Sequence, residues 1–372
     1  MKRLAAIILV FGAALVTVAR GGHELPIYPS FYPHEIEITS LAPEAAAQPL
    51  RDGKIQAYLG PGLSFAGAPP VDIRAIESLG SFIVVHVNPA SARAQDDASA
   101  CAVVRTVMRA LAAQGDFIAH PYPVTPFHGD YLHHADLATA AMARFPLDEA
   151  PVADLKIAAR GRLAQSHPEW SARDADWDAE VDEVDAAELV ASAIFSVNGW
   201  LAPPWVRTGW FHAERLLADA VREPARRERI ESDLQRLKAG DFTGLVERIN
   251  LERDLVTLLT AGCRKIVAGY TVKREYVNVE FSAGIENIGY DSIAGLHSPI
   301  FIRTVKLKDF PWNGWLALGI DGKPAAAWNP IGGMIDPFGR LLGFTVGDPA
   351  LLPSPYESGW MLNRIADLPP GQ

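Results

Sequence analysis

The hydrophobic and polar positions divide the chain into stretches of different period. Leu4 to Ala19 is an apolar run interrupted only by Gly12 and Thr17, behind the basic start Met1-Lys2-Arg3. Residues 22–49 are rich in Pro and aromatic rings, then in Ala. They read as an extended arm that packs by its rings, because each Pro holds the preceding residue out of the helical region. Lys54–Leu59 and Ser81–Val87 read as strands, and the sequence SFIVVHV is a continuous apolar run suited to burial on both faces. Ala98–Ala113 carries apolar residues at helical spacing, with Gly115 beyond it as a stop. Phe117–Ala119 reads as a short strand delivering His120 at its end. Strand, helix and strand over residues 50–150 predict a small α/β unit.

From residue 151 to 268 the pattern is mainly helical, with helices predicted over Glu183–Val197, Trp210–Arg222, Arg226–Leu237 and Leu251–Ile266. Pro203, Pro204, Pro224 and Gly240 punctuate them. Residues 269–372 change character. Thr271–Phe281 and Pro299–Leu307 alternate branched and aromatic residues, and Arg340–Val346 reads as a last strand. Trp315–Ile320 faces Ala325–Trp328 across Asp321-Gly322-Lys323, a hairpin signal. The expected fold class is α+β: an N-terminal α/β unit, a helical middle segment and a β-rich C-terminal part with long Gly/Pro loops.

The first 21 residues have the layout of a secretory signal peptide, a charged start followed by an apolar core. That core spans 16 residues (4–19), short of the roughly 20 needed to cross a bilayer. Its cleavage signals are weak, so an uncleaved inner-membrane anchor is the alternative. Either way the body beyond it is expected to be extracytoplasmic, in the periplasm of a bacterial cell. The formal charge of −10 argues against nucleic acid and against docking on anionic lipid, which leaves the N-terminal segment as the membrane contact.

Two cysteines are present, Cys101 and Cys263. An oxidising compartment invites a disulfide between them. Each also lies in an apolar helical pattern, where a buried free thiol behaves as a small hydrophobe. There is no CxxC or CxxCH, which excludes thioredoxin-like chemistry and covalent c-type haem. No nucleotide cofactor is expected, since Walker and Rossmann glycine loops are absent, as are GxSxG and HExxH.

The densest chemistry lies between Ala119 and Asp136, AHPYPVTPFHGDYLHHAD, with four of the ten histidines. Pro121, Pro123 and Pro126 keep the backbone extended up to Phe127. Gly129 permits a turn, and Asp130 can cap a helix over Tyr131–Met142. On that helix Asp130, His133 and His134 lie three and four residues apart, so an imidazole can approach the carboxylate. His120, His128, His133 and His134 with Asp130 and Asp136 are therefore candidate ligands for a transition metal, Zn, Cu, Ni or Fe. Without metal, His128, Asp130, His133 and His134 are candidates for a His–Asp acid/base pair. The plainer reading has His120 and His128 bonding their own loop and Asp130 serving only as a cap.

Two further features compete. Asp174 to Asp185 places acids at five positions of a calcium-loop pattern, but Ala179 stands where glycine is required and Asp185 replaces the bidentate glutamate. An acidic first turn for the following helix is preferred, and calcium is disfavoured. Trp200, Trp205 and Trp210 recur every five residues on a Pro-broken stretch, and Trp312, Trp315 and Trp328 gather around the expected hairpin. Trp200, Trp205, Trp210, Trp312 and Trp315 are candidates for a ligand or partner surface; core filling is the competing account. The reading drawn from these features is an exported, non-catalytic binding or accessory protein acting on a partner protein or small ligand. The alternatives are a metal-dependent or His/Asp enzyme centred on residues 120–136, and an extracytoplasmic solute receptor.

Overall fold

The computed structural model describes residues 31, 33–113, 115–172, 176–196, 204–312, 314–325, 334, 336–347, 351–355 and 359–363. The expected signal segment, Trp200, Trp328 and Asp174 lie outside them. In chain order the elements are β1 (Glu35–Ser40), α1 (Pro43–Arg51), β2 (Ala57–Leu59), β3 (Ile73–Val87), α2 (Asp97–Ala112), β4 (Phe117–Ala119), α3 (Ala135–Arg144), β5 (Ile157–Ala159) and α4 (Arg162–Ser166). The second half adds β6 (Ala179–Asp185), α5 (Ala186–Ser196), α6 (Gly209–Leu217), α7 (Pro224–Ala239), α8 (Leu245–Thr260) and β7 (Lys265–Asn278). The chain continues through β8 (Ile285–Glu286), α9 (Pro299–Thr304), β9 (Lys306–Leu307), β10 (Trp315–Ile320), α10 (Pro337–Val346), β11 (Leu351–Pro353) and β12 (Trp360–Leu362). The class is α+β, as the sequence predicts.

Eight strands form one mixed sheet in the order β1-β10-β2-β7-β3-β6-β5, with β4 also on β7. Its spine is the antiparallel pair β3 and β7, which runs from Ile73↔Asn278 to His86↔Lys265. β2 and β4 share the other edge of β7, at Ala57↔Val277 and Phe117↔Thr271. The pairing shifts register between Leu79 and Phe82. There the Ser81 N–H donates to Thr271 Oγ1 at 3.0 Å, so a side chain restores the bond the bulge removes from the ladder.

The period of two along β3 explains why its sequence is apolar throughout. Phe82 and Val84 face a core built with α6, α7 and α8, while Ile83, Val85 and Val87 face a second core built on α2. β7 divides in the same way, Val267 and Tyr270 to one side and Ile266 and Ala268 to the other. A sheet covered by helices on both faces needs hydrophobic residues at successive positions. α2 starts with a capping box, Asp96 Oδ1 accepting from the Ser99 N–H at 2.7 Å and the Asp96 N–H donating to Ser99 Oγ at 3.1 Å. α7 begins at Pro224 and ends at Gly240 in the left-handed conformation, the asymmetry expected of helix ends.

A disulfide joins Cys101 on α2 to Cys263, with Cα atoms 5.0 Å apart. Cys263 is not on a helix as its apolar surroundings suggest. α8 stops at Thr260, and Cys263 lies in the turn before β7, so the bridge ties that turn to α2 and needs no helix–helix packing.

Several expected elements are replaced. The acidic stretch from Ala179 is strand β6, paired with β3 and β5; only its last residue acts at a helix start, Asp185 Oδ1 accepting from the Glu188 N–H at 2.8 Å. Pro299–Thr304 and Pro337–Val346 are helices where strands are predicted. Both open with an oxygen cap and Pro at the first position, Ser298 accepting from Ile300 N and Asp336 from Gly339 N. A cap followed by Pro outweighs β-branched composition. β10 has β1 and β2 as parallel neighbours on its two edges. The Gln56 N–H donates to Ala317 O and the Ala317 N–H to Gln56 Oε1; of the expected hairpin's second arm, 326–328 lie outside the described residues. No helix among the described residues is long and apolar enough to cross a membrane.

Candidate metal centre

β4 hands the chain to a buried extended stretch. The His120 N–H donates to Ala268 O on β7 at 3.1 Å, and residues 121–125 are buried against the α6–α8 side of the sheet. The three prolines keep this stretch out of regular helix or strand pairing, so backbone groups such as the Val124 carbonyl and the Thr125 N–H are met by histidine side chains. The turn after His128 is then 3₁₀ over Tyr131–His133, and α3 starts only at Ala135. The single helix expected from Tyr131 is thus broken at its first turn. His133 and His134 part company: His134 is wholly buried, whereas His133 is half-buried.

Asp130 does not cap its own turn. Both its carboxylate oxygens accept from the Gly209 N–H, at 3.1 and 3.0 Å, so it closes the start of α6 instead, where Thr208 makes no side-chain cap. Glycine is required at that start. A Cβ on Gly209 would stand 2.5 Å from Val124 Cγ1, well inside contact distance, so only a bare backbone lets α6 reach the Pro-rich stretch and the carboxylate.

His120 and His128 are used by the protein itself, as in the plainer reading. His120 Nε2 lies 3.0 Å from Val124 O, to which it donates. His212 Nε2 lies 3.0 Å from Val206 O, which can only accept, so that nitrogen carries the proton. His212 Nδ1 then accepts from His128 Nε2 at 2.9 Å, and His128 Nδ1 accepts from the Thr125 N–H at 2.9 Å. The relay is satisfied with both rings neutral. Burial, against Phe82 of β3 on both rings, lowers the His128 pKa to about 3 and holds His212 well below the usual range. Asp136 is exposed and paired with Arg253 at 2.7 Å through both oxygens; that guanidinium holds its carboxyl below the usual range.

What the fold does bring together is Asp130, His134 and Glu252. One donor atom of each lies within 4.8 Å of the other two, and the residues are 8%, 0% and 4% exposed. His134 Nδ1 is 2.7 Å from the Tyr122 hydroxyl. His134 Nε2 and Glu252 Oε2 are buried with no hydrogen-bond partner, while Glu252 Oε1 lies 3.5 Å from Arg248 Nε. Burial raises the Glu252 pKa to about 7, with the Asp130 charge adding to the rise. Burial likewise raises Asp130 and lowers His134, the latter to about 4 despite the nearby Asp130 carboxylate. At neutral pH the imidazole is therefore uncharged with a lone pair to offer. Buried polar atoms ordinarily find partners, so two orphans in one three-donor cluster ask for a ligand.

Glu252, Tyr122 and His212 were not among the residues singled out from the sequence. Glu252 had a legible signal: it stands in helical register with Leu255, Val256 and Leu259, all buried, an acid on an apolar helix face. The tryptophans divide. Trp210 is buried and Trp205 half-buried, with ring centroids 6.1 Å apart, so these two fill core. Trp312 and Trp315 are 62% and 71% exposed and retain the character of a surface for contact.

No family model matches the sequence, and no curated protein is significantly similar to it. Solved structures share a weak likeness. NikZ from Campylobacter jejuni in complex with Ni(L-His) is 14% identical, with a TM-score of 0.35 over 66% of this chain and 56% of that one. The oligopeptide-binding protein AppA from Bacillus subtilis, in complex with a nonapeptide, is 11% identical, with a TM-score of 0.38 over 72% and 58%. The periplasmic binding protein DppA from Helicobacter pylori, in complex with the peptide STSA, is 13% identical, with a TM-score of 0.35 over 71% and 55%. The chain spans little more than half the length of each.

Proposed function

We propose that this protein is an extracytoplasmic binding protein, without catalysis of its own, whose Asp130–His134–Glu252 centre takes up one divalent transition-metal ion. The observation that carries this reading is the pair of buried, unpartnered donor atoms, His134 Nε2 and Glu252 Oε2, in a cluster only 4.8 Å across. Donors on a tetrahedral ion at about 2.1 Å stand roughly 3.4 Å apart, so a small inward adjustment of these side chains suffices. One imidazole and two carboxylates suit Zn, Fe, Ni or Cu better than calcium, which prefers six or more oxygens. The Tyr122 hydroxyl beside His134 Nδ1 acts as the outer partner that fixes a ligating ring. A catalytic metal keeps one position within reach of substrate, and the burial of all three residues favours holding an ion over turning substrate over. The signal-like N-terminus and the Cys101–Cys263 bridge accord with an oxidising compartment outside the cytoplasm.

The test is elemental analysis and zinc titration of untagged protein beside His134→Ala and Asp130→Asn. One ion per chain in the wild type, lost in His134→Ala with the fold retained by circular dichroism, is the expected result. Wild-type protein that neither carries nor takes up metal overturns the reading and leaves the cluster as a buried polar network.

A further inference from the structure

A second place in the molecule has the chemistry of a ligand site. A cavity of about 160 Å³ opens where the link from α6 to α7, the end of α8 and the start of β7 meet. Its floor is apolar, formed by Leu217, Val221 and Leu259. Its rim carries four cations, Arg222, Arg226, Arg264 and Lys265, against the single carboxylate of Glu223. This concentration stands on a protein of formal charge −10.

The cations are not equally compensated. Lys265 is paired with Asp219 at 2.8 Å. Arg226 donates to Ala261 O at 3.0 Å, and Arg264 to Ala94 O and Gln95 O at 2.6 and 3.2 Å. Those carbonyls orient the guanidinium groups without neutralising them. Neither group, nor that of Arg222, has a carboxylate within ion-pairing distance among the described residues. Arg226 Nε is buried without a hydrogen-bond partner. The first turn of the 16-residue helix α7 borders the same cavity, and its N-cap residue Glu223 makes no side-chain cap. Its unpaired N–H groups add positive potential to that of the side chains.

We infer that this cavity binds a small organic carboxylate with a compact apolar body, about the size of benzoate. An apolar cavity of roughly 150 Å³ accommodates a benzene ring, which matches the floor, while a guanidinium pairs with a carboxylate through two parallel hydrogen bonds. Both halves of the site are needed. The rim alone selects any anion, and the floor alone selects any small apolar molecule. The inference does not depend on the metal centre.

Benzoate, its neutral isostere benzamide and inorganic phosphate are titrated separately into the full chain by calorimetry, with Arg222→Gln, Arg226→Gln and the double variant beside the wild type. Saturable benzoate binding is expected, at least about tenfold tighter than benzamide or phosphate, weakening with added salt, and lost in the double variant. Arg226→Lys, which keeps the charge but not the fork, should retain only part of the affinity; thermal melting of each variant separates lost binding from lost fold. Absence of saturable binding overturns the inference. So does equal affinity for benzamide, which would make the site merely apolar, or for phosphate, which would make it merely cationic. The same titration in His134→Ala should match the wild type, so the two sites fail or succeed independently.

Discussion

The Tyr122 hydroxyl and His134 Nδ1 lie 2.7 Å apart in the interior, and this contact determines which nitrogen of the ring faces Asp130 and Glu252. Removing it should weaken the centre without removing a ligand. In Tyr122→Phe the affinity for zinc, measured by competition with a chromophoric chelator, is expected to fall by roughly 10–100-fold, the usual effect of deleting an outer partner. Unchanged affinity would mean that Tyr122 only fills space.

Glu252 makes the metal-free protein sensitive to pH in a defined direction. Its pKa is raised from 4.5 to about 7 by burial, so between these values the folded chain holds a proton that the unfolded chain has released. Stability contributed by this group is therefore lost as pH rises from about 4.5 through 7, amounting to roughly 3 kcal/mol at most. Urea unfolding of Glu252→Gln with chelator present should show little change near pH 4.5 and a stabilised protein at pH 8. A gain of equal size at both values would rule this account out. Zinc affinity of the wild type should climb up to about pH 7 and level off above it, because the ion displaces the same proton.

The hydrogen-bond chain from Thr125 through His128 and His212 to Val206 assigns both protons. At pH 7 long-range ¹⁵N–¹H correlation spectra should find both rings neutral and protonated on Nε2, and His128 should remain neutral down to about pH 4. An Nδ1–H form on either ring would break the relay. Since these histidines have folded pKa values below the unfolded value, their contribution to stability is present above about pH 6.5 and is lost as the medium is acidified.

Gly209→Ala should destabilise by about 1–3 kcal/mol, the range for inserting a methyl group into a packed contact. The added methyl meets Val124 and pushes the Gly209 N–H away from Asp130. Val124→Ala in the same chain should recover part of that loss, and a double-mutant cycle by denaturant titration measures the coupling. Strict additivity would show that the two positions do not press on one another.

Reduction or Cys101→Ser with Cys263→Ser should lower stability by about 2–5 kcal/mol, since the bridge closes a loop of 162 residues. An unchanged unfolding midpoint under reducing conditions would show that the remaining packing already fixes this turn.

The sequence disclosed the local parts of this fold better than their assembly. Ala98–Ala113 and Phe117–Ala119 were readable because apolar period and stop signals agree there. β6 was hidden by its acids, Glu180, Asp182, Glu183 and Asp185, which look like a helix start but are tolerated beside the cations Arg160 and Arg162. α9 and α10 were hidden by branched and aromatic residues whose helical state is decided by their caps. At the centre, Asp130 and His134 were visible in one window, but their third companion lies 118 residues beyond His134 (252 − 134). Only the packing of α8 beside Asp130–Asp136, where Arg253 bonds His133 O and Asp136, brings Glu252 to them, and no spacing rule in the sequence encodes a contact of that range.

The β3–β7 spine has a further consequence, for the order in which the molecule can be made. Ser81 and its partner Thr271 are separated by 190 residues, and β6, on the other edge of β3, also comes later in the chain. At roughly 5–20 residues per second of synthesis, the segment SFIVVHV is complete about 10–40 s before β7 exists to cover it. Both edges are open until β6 has been made, and the β7 edge stays open to the end of the interval; an apolar strand with an open edge is the form most prone to pair with another copy of itself. Delivery of this protein in a soluble state therefore depends on keeping residues 81–87 sequestered until β7 has been made.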